Sequence, residues 1–261
     1  MRKTFFMMLI ALLTLASCSS EEDILELEYD KSTRSVDTLP PNPYVGSMLM
    51  QRMFLQIELD EENTEDLRSC LQSIGTYYKR WYNCLIAVIS ERPIARIYQK
   101  KMEIAASYSP VYNTIAVKDT PGNKEMPYIE ELLHAGQDRV YAGGIEQYTD
   151  KGKPNIEFEA SLTRDLIFYV GGGVYASGAG TDNVEEYQEW IEELCWSEIG
   201  GVNVFPSEER VLGLKLYFDK FQQMLGYYQM MELFKKRNSA YDKEILYTLG
   251  PEYLGFVYDS L

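Results

Sequence analysis

Residues 126–138 read MPYIEELLHAGQD and hold the only histidine of the 261-residue chain, His134, with Glu130 and Glu131 four and three positions before it. At 3.6 residues per turn, Ile129, Leu132, Leu133, Gly136 and Val140 fall on one apolar stripe, which predicts an amphipathic helix. Glu130, His134, Gln137 and Tyr141 fall on its flank, within about 60° of one another. A carboxylate and an imidazole four residues apart can therefore share one ligand, with Glu131 beside them. A plainer cause for the acids exists, because the first turns of a helix favour negative charge.

The flanks of this helix set the expected fold. Upstream, Met102–Tyr108 and Thr114–Lys118 are rich in strand-forming residues and straddle a Ser-Pro turn, which predicts a small hairpin. Glu61–Tyr78 and Trp81–Ser90 carry helical spacing, and Pro93 stops the second. Downstream, a helix is expected from Asn155 to about Val170, ended by Gly171, Gly172 and Gly173. Helices are expected again over 184–198, over 207–236 with a break at Gly226, and over 241–258. These elements give an α+β chain, mostly α-helical, with a small antiparallel sheet or hairpin and a helical C-terminal part.

The stretch IEELLHAGQD resembles the HExxH helix of the zincin metallopeptidases, with glutamate in the first histidine's place. YNTIAV, residues 112–117, resembles the edge strand that precedes that helix, and NIEFEAS, residues 155–161, resembles the glutamate-bearing second helix of the gluzincins. The span Ala105–Asp165 is similar to a group of Bacteroides lipoproteins carrying an EELxHAxQD and IEFEA pattern. The resemblance implies a zincin-like core in which Glu130, His134 and Glu157 hold one divalent metal ion, zinc first, and Glu131 serves as general base. Glu159 is the other choice for the third ligand. Glu157 is preferred because Ala160 and Ser161, one turn on, are small enough to let two helices approach closely. Two carboxylates put more negative charge on a metal than the usual histidine-rich set, so another divalent ion, or none, is the alternative.

The chain opens MRKTFFMMLIALLTLASC: a basic start, then an apolar run over Thr4–Ala16 that is too short to span a bilayer. Leu15-Ala16-Ser17-Cys18 resembles the lipobox of bacterial lipoproteins, which implies cleavage of residues 1–17 and acylation of Cys18 with fatty chains such as palmitate. The acidic run Ser19–Asp23 resembles the export signal that sends Bacteroidetes lipoproteins to the outer face of the outer membrane. Residues 18–43 read as a polar tether ending in LPPNP, and residues 44–261 as one globular domain. Cleavage would remove Arg2 and Lys3 and no acid, leaving 23 basic residues against 40 acidic ones, a net charge of −17. Such a surface argues against nucleic acid as a partner and against charge-driven binding to anionic lipid.

Three further cysteines, Cys70, Cys84 and Cys195, match no zinc spacing. A Cys70–Cys84 disulfide and buried free thiols are both compatible with the sequence. A di-iron site would need a second Glu-x-x-His pair, and the glycine run from Gly171 lacks the Gly-Lys-Ser/Thr of a phosphate loop. Two classes of function remain. One is a metal-dependent hydrolase, a peptidase first. The other is a catalytically inactive surface lipoprotein that uses the same scaffold to bind a peptide or surface glycan, for which 21 tyrosines supply aromatic surface.

Overall fold

The computed structural model describes residues 43–77, 79–119, 125–172, 184–195, 197–199, 202–204, 221–237 and 239–259. The signal segment, Cys18 and all but the last residue of the tether lie outside these. Helix α1 (Pro43–Met53) packs on α2 (Glu61–Tyr77), and α2 leads into α3 (Lys79–Glu91). Asp60 starts α2 by accepting the Asn63 N–H at 2.9 Å, an N-cap that satisfies an otherwise orphaned donor. The architecture is α+β and mostly helical.

The sheet differs from the expected hairpin or antiparallel sheet. It has four strands in the order β1 (Ile57–Glu58), β2 (Arg96–Lys100), β4 (Thr114–Lys118), β3 (Ala106–Ser109). The β3–β4 pair is the predicted hairpin, with Tyr108 opposite Ile115. Its turn places Asn113 at φ 52°, a left-handed conformation that asparagine tolerates better than most residues. Strands β1, β2 and β4 are parallel, with Ile97 paired to Ile57 on one side and Ile115 on the other. Parallel neighbours need a long crossover, and α2 and α3 provide it between β1 and β2. Local hairpin signals cannot reveal such pairing, and β2 buries only Ile97 of its five residues.

Behind the sheet runs α4 (Glu125–Val140), with α5 (Lys153–Gly172) against it. The sequence suggests a one-sided α4, but every residue from Tyr128 to Asp138 is buried, and so is every residue of α5 from Pro154 to Ile167. The reason is enclosure: α2, α3, β3, α5 and a C-terminal helix all contact α4. Phe158, wholly buried on α5, packs against Tyr227 and Phe234, with ring centroids 5.1 and 5.6 Å apart. A ring buried to that degree contributes about 1.5–3 kcal/mol.

The C-terminal part departs further from the expected three helices. Helix α6 (Val184–Cys195) ends early, and β5 (Ser197–Ile199) and β6 (Val202–Val204) form a two-stranded antiparallel sheet. Helix α7 (Phe221–Arg237) runs through Gly226 without a break. A Cβ there would lie 2.9 Å from the Trp190 indole nitrogen, so the glycine serves close packing. Residues 205–220, the first part of the expected 207–236 helix, lie outside the described residues. The expected 241–258 helix is only α8 (Glu252–Asp259), because Gly250-Pro251 interrupts it. The irregular stretch before α8 is held by Asn155, whose side chain donates to the Leu246 and Leu249 carbonyls and accepts the Leu246 N–H. Among the described residues no helix is long and apolar enough to cross a membrane.

Candidate metal centre

Helix α4 carries Glu130, Glu131, His134 and Gln137, and α5 carries Glu157 and Arg164, all of them buried. The small residues Ala160 and Ser161, one turn beyond Glu157, lie within the buried face of α5. Glu130, His134 and Glu157 each offer a donor atom, and the three atoms lie within 4.8 Å of one another.

Gln137 fixes the state of the histidine. Its amide nitrogen donates to the Ile156 carbonyl at 2.9 Å and to Glu159 at 2.8 Å. Its amide oxygen is therefore the acceptor facing His134 Nδ1, 2.9 Å away, and Nδ1 carries the hydrogen. The other ring nitrogen, Nε2, faces Glu157 Oε2 at 3.5 Å, and neither atom has a hydrogen-bond partner. Between a lone pair and a carboxylate oxygen, both out of water, a positive charge is needed. Without a metal it is a proton. Burial alone would lower the His134 pKa, but Glu157, Glu131 and Glu130 together outweigh it and raise it to about 10. Burial pushes Glu157 up, and His134 pulls it below its usual range. Tyr241, whose ring stacks on Phe234 at 4.9 Å, lowers Glu157 further through a side-chain hydrogen bond.

Glu130 forms a buried ion pair with Arg164. Burial raises the Glu130 pKa and Arg164 opposes it. Arg164 also lies 3.3 Å from Asp165, which accepts the Tyr187 hydroxyl on its other oxygen at 3.0 Å. Glu131 accepts the backbone N–H of Tyr108 on β3, and burial raises its pKa to about 8. Strand β4, within the stretch that resembles an edge strand, is paired on both sides; the sheet edge beside α4 is β3. Glu159 points elsewhere, accepting from Gln137, from the Tyr141 hydroxyl at 2.7 Å and from the Leu254 N–H at 2.9 Å. It acts as a cap for α8 rather than as part of the three-donor group.

Glu130, His134 and Glu157 could hold a divalent cation. A tetrahedral ion about 2.1 Å from each donor needs them about 3.4 Å apart, so the group must close slightly around it. The unpartnered His134 Nε2 and Glu157 Oε2 are free to do so. Cys70 and Cys84 are both buried and are not joined in a disulfide.

Sequence reasoning set Gln137 on the flank beside Glu130 and His134 without giving it a role, and overlooked Arg164 and Tyr241. Arg164 was within reach, since positions 157, 161 and 164 share one helix face and an arginine-aspartate pair inside an apolar helix needs partners. Tyr241 is 84 positions from Glu157, and no local pattern connects them. Comparisons with protein-family models, with curated proteins and with solved structures return no match.

Proposed function

We propose that this chain binds one divalent metal ion, zinc first, through Glu130, His134 and Glu157, and acts as a zincin-like hydrolase, a peptidase first. The observation that carries this reading is the gap between His134 Nε2 and Glu157 Oε2, 3.5 Å wide and unbridged. Gln137 holds the imidazole in the tautomer that presents a lone pair to that gap, as outer partners of metal-binding histidines do. A bound divalent ion would make its water acidic and polarise a carbonyl. Glu131 would take the proton. Burial alone disfavours its charged form, a cation in the site would favour it, and the Tyr108 N–H fixes its Oε2. The edge strand β3 beside Glu131 is the natural place for an extended peptide to pair. The resemblance to zincins supports the same assignment through the motif and the second glutamate helix.

The second reading is a non-catalytic surface protein that binds a peptide or glycan. Burial favours it: Glu130, His134 and Glu157 are 1%, 4% and 8% exposed, which leaves a substrate little access. For either reading we propose anchoring through acylated Cys18 in the outer membrane, facing the exterior, on the strength of the signal segment and acidic tail. Cys18→Ala should abolish acyl labelling, and retained labelling refutes the anchor.

Metal analysis of the purified full chain tests the main reading. Close to one zinc, cobalt or manganese ion per chain is expected, lost in His134→Ala. Absence of stoichiometric metal rejects it. Metal without peptide hydrolysis in a survey of unstructured substrates favours the second reading.

A further inference from the structure

We infer that Arg164 is the counter-charge that lets Glu130 serve where a neutral histidine would otherwise be needed, so that the Glu130–Arg164 pair acts as one neutral metal ligand. This rests on the metal reading above and extends it to how the site sets its charge.

Charge balance carries the argument. A donor set of two histidines and one glutamate has one net negative charge. Glu130, neutral His134 and Glu157 alone would have two. Arg164 is 6% exposed, and its guanidinium pairs directly with the Glu130 carboxylate. Counted with Glu130, its charge returns the three donors to one net negative; the Asp165 carboxylate beside it lies outside the donor group and is met on its other oxygen by the Tyr187 hydroxyl. Asp165 shares the guanidinium only at 3.3 Å and gives its other oxygen to Tyr187, so Glu130 is the close partner. The geometry matches this role. Glu157, Ser161 and Arg164 fall on one face of α5, so a single helix supplies one ligand directly and modifies another from two turns away. Arginine suits the task because it stays charged when buried, whereas lysine readily gives up its proton. Arg164 is thus a positioning and charge-setting residue, not a catalytic one.

The role makes an unusual prediction. Removing most outer partners of a metal ligand weakens binding, but removing a cation beside a cation site should tighten it. Zinc affinity of the full chain would be measured by competition with a chromophoric chelator for the wild type, Arg164→Gln, and the double variant Glu130→His with Arg164→Gln. Arg164→Gln is expected to bind zinc about ten- to a hundredfold tighter, because a positive charge a few ångströms from the cation is removed. The double variant, which restores one net negative charge by another route, is expected near the wild-type value. Equal or weaker binding by Arg164→Gln overturns the inference, since an arginine that only orients Glu130 would give that result. If Arg164→Gln does not fold without metal, the double variant decides: affinity near wild type supports the inference and weaker affinity overturns it. If the wild type takes up no metal, the metal reading itself fails. Zinc binding by the double variant in that case would overturn the inference by showing that Arg164 occupies the metal's place, and no binding by any variant would overturn the inference together with the metal reading.

Discussion

Two buried glutamates stand two residues apart on α5 and live in opposite circumstances. Glu159 is met by Gln137, the Tyr141 hydroxyl and the Leu254 N–H. Glu157 faces His134 across a 3.5 Å gap that no hydrogen bond closes. Burial and sequence context are alike for both, so neither explains the difference. What separates them is donor supply: three donors meet Glu159, whereas the Glu157 Oε2 facing His134 meets none. A carboxylate surrounded by fixed N–H and O–H groups is committed to holding the fold together. One left opposite a lone pair is available to a cation.

The sharpest test of this contrast is Glu159→Ala. It would orphan the Leu254 N–H and leave Gln137 and Tyr141 short of an acceptor, each loss costing about 1–3 kcal/mol. A destabilisation of about 3–5 kcal/mol is expected in denaturant unfolding. A cost below 1 kcal/mol would mean that Glu159 holds nothing.

A second test uses pH on the metal-free protein. Burial raises Glu159 from 4.5 to about 7 and Glu131 from 4.5 to about 8, so the folded state binds more protons than the unfolded state across that window. His134, raised from 6.5 to about 10, extends the same trend upward. Stability should therefore fall by a few kcal/mol as pH rises from about 5 to 8, since one pKa unit is worth about 1.4 kcal/mol. Denaturant midpoints in chelator report it. A saturating divalent metal should flatten the slope, and a flat profile without metal would contradict the buried charge assignments.

Both clusters hang from α4, and Gly136 sets how closely that helix sits. A Cβ at Gly136 would come within 2.8 Å of Leu85 and Tyr253 side-chain atoms. Gly136→Ala should cost about 1–3 kcal/mol by overpacking. It should loosen both clusters together, and thermal melting checks the first part while metal affinity checks the second.

The smallest stability effect is expected for Glu157→Gln. His134 can shed its proton when the facing charge disappears, whereas a backbone N–H cannot, so the cost should stay within about 1 kcal/mol. The same change should weaken metal binding by about a hundredfold. If it destabilises as much as Glu159→Ala, the contrast between the two glutamates is void.

The sequence made much of this site legible, for a physical reason. Glu130, His134 and Glu157 lie on two helices at helical spacing, and helical periodicity is local information. The preference for Glu157 over Glu159 came from the small residues one turn on, and the structure brings Glu157, not Glu159, into the three-donor group. The β3–β4 hairpin was readable because its strands are neighbours in the chain. Strands β1 and β2 were not, because parallel pairing joins positions about 40 residues apart and leaves no turn signature. The outline of α4 as one-sided also misled. Its charged face is turned inward because Arg164, Tyr108 and Gln137 supply partners from other elements or from the helix itself, and a wheel drawn for one helix cannot show partners. The expected 241–258 helix is shortened to Glu252–Asp259 because Gly250-Pro251 breaks it, a local signal that outweighs the apolar spacing around it.

One feature of the clamp around α5 bears on how the chain reaches this state. Asn155 binds Leu246 and Leu249 from 91 and 94 positions away, and Glu159 binds Leu254 from 95. Contacts so distant in sequence close large loops and are slow to form, whereas the β3–β4 hairpin and the α2–α3 pair are local. Folding is therefore expected to be biphasic, with the sheet side formed early and the clamp late. Until the clamp closes, Glu159 lacks its backbone donors and the carboxylates of α4 and α5 remain hydrated. In that interval a metal ion added to the refolding mixture would meet the open site, and it should shorten the slow phase rather than the fast one.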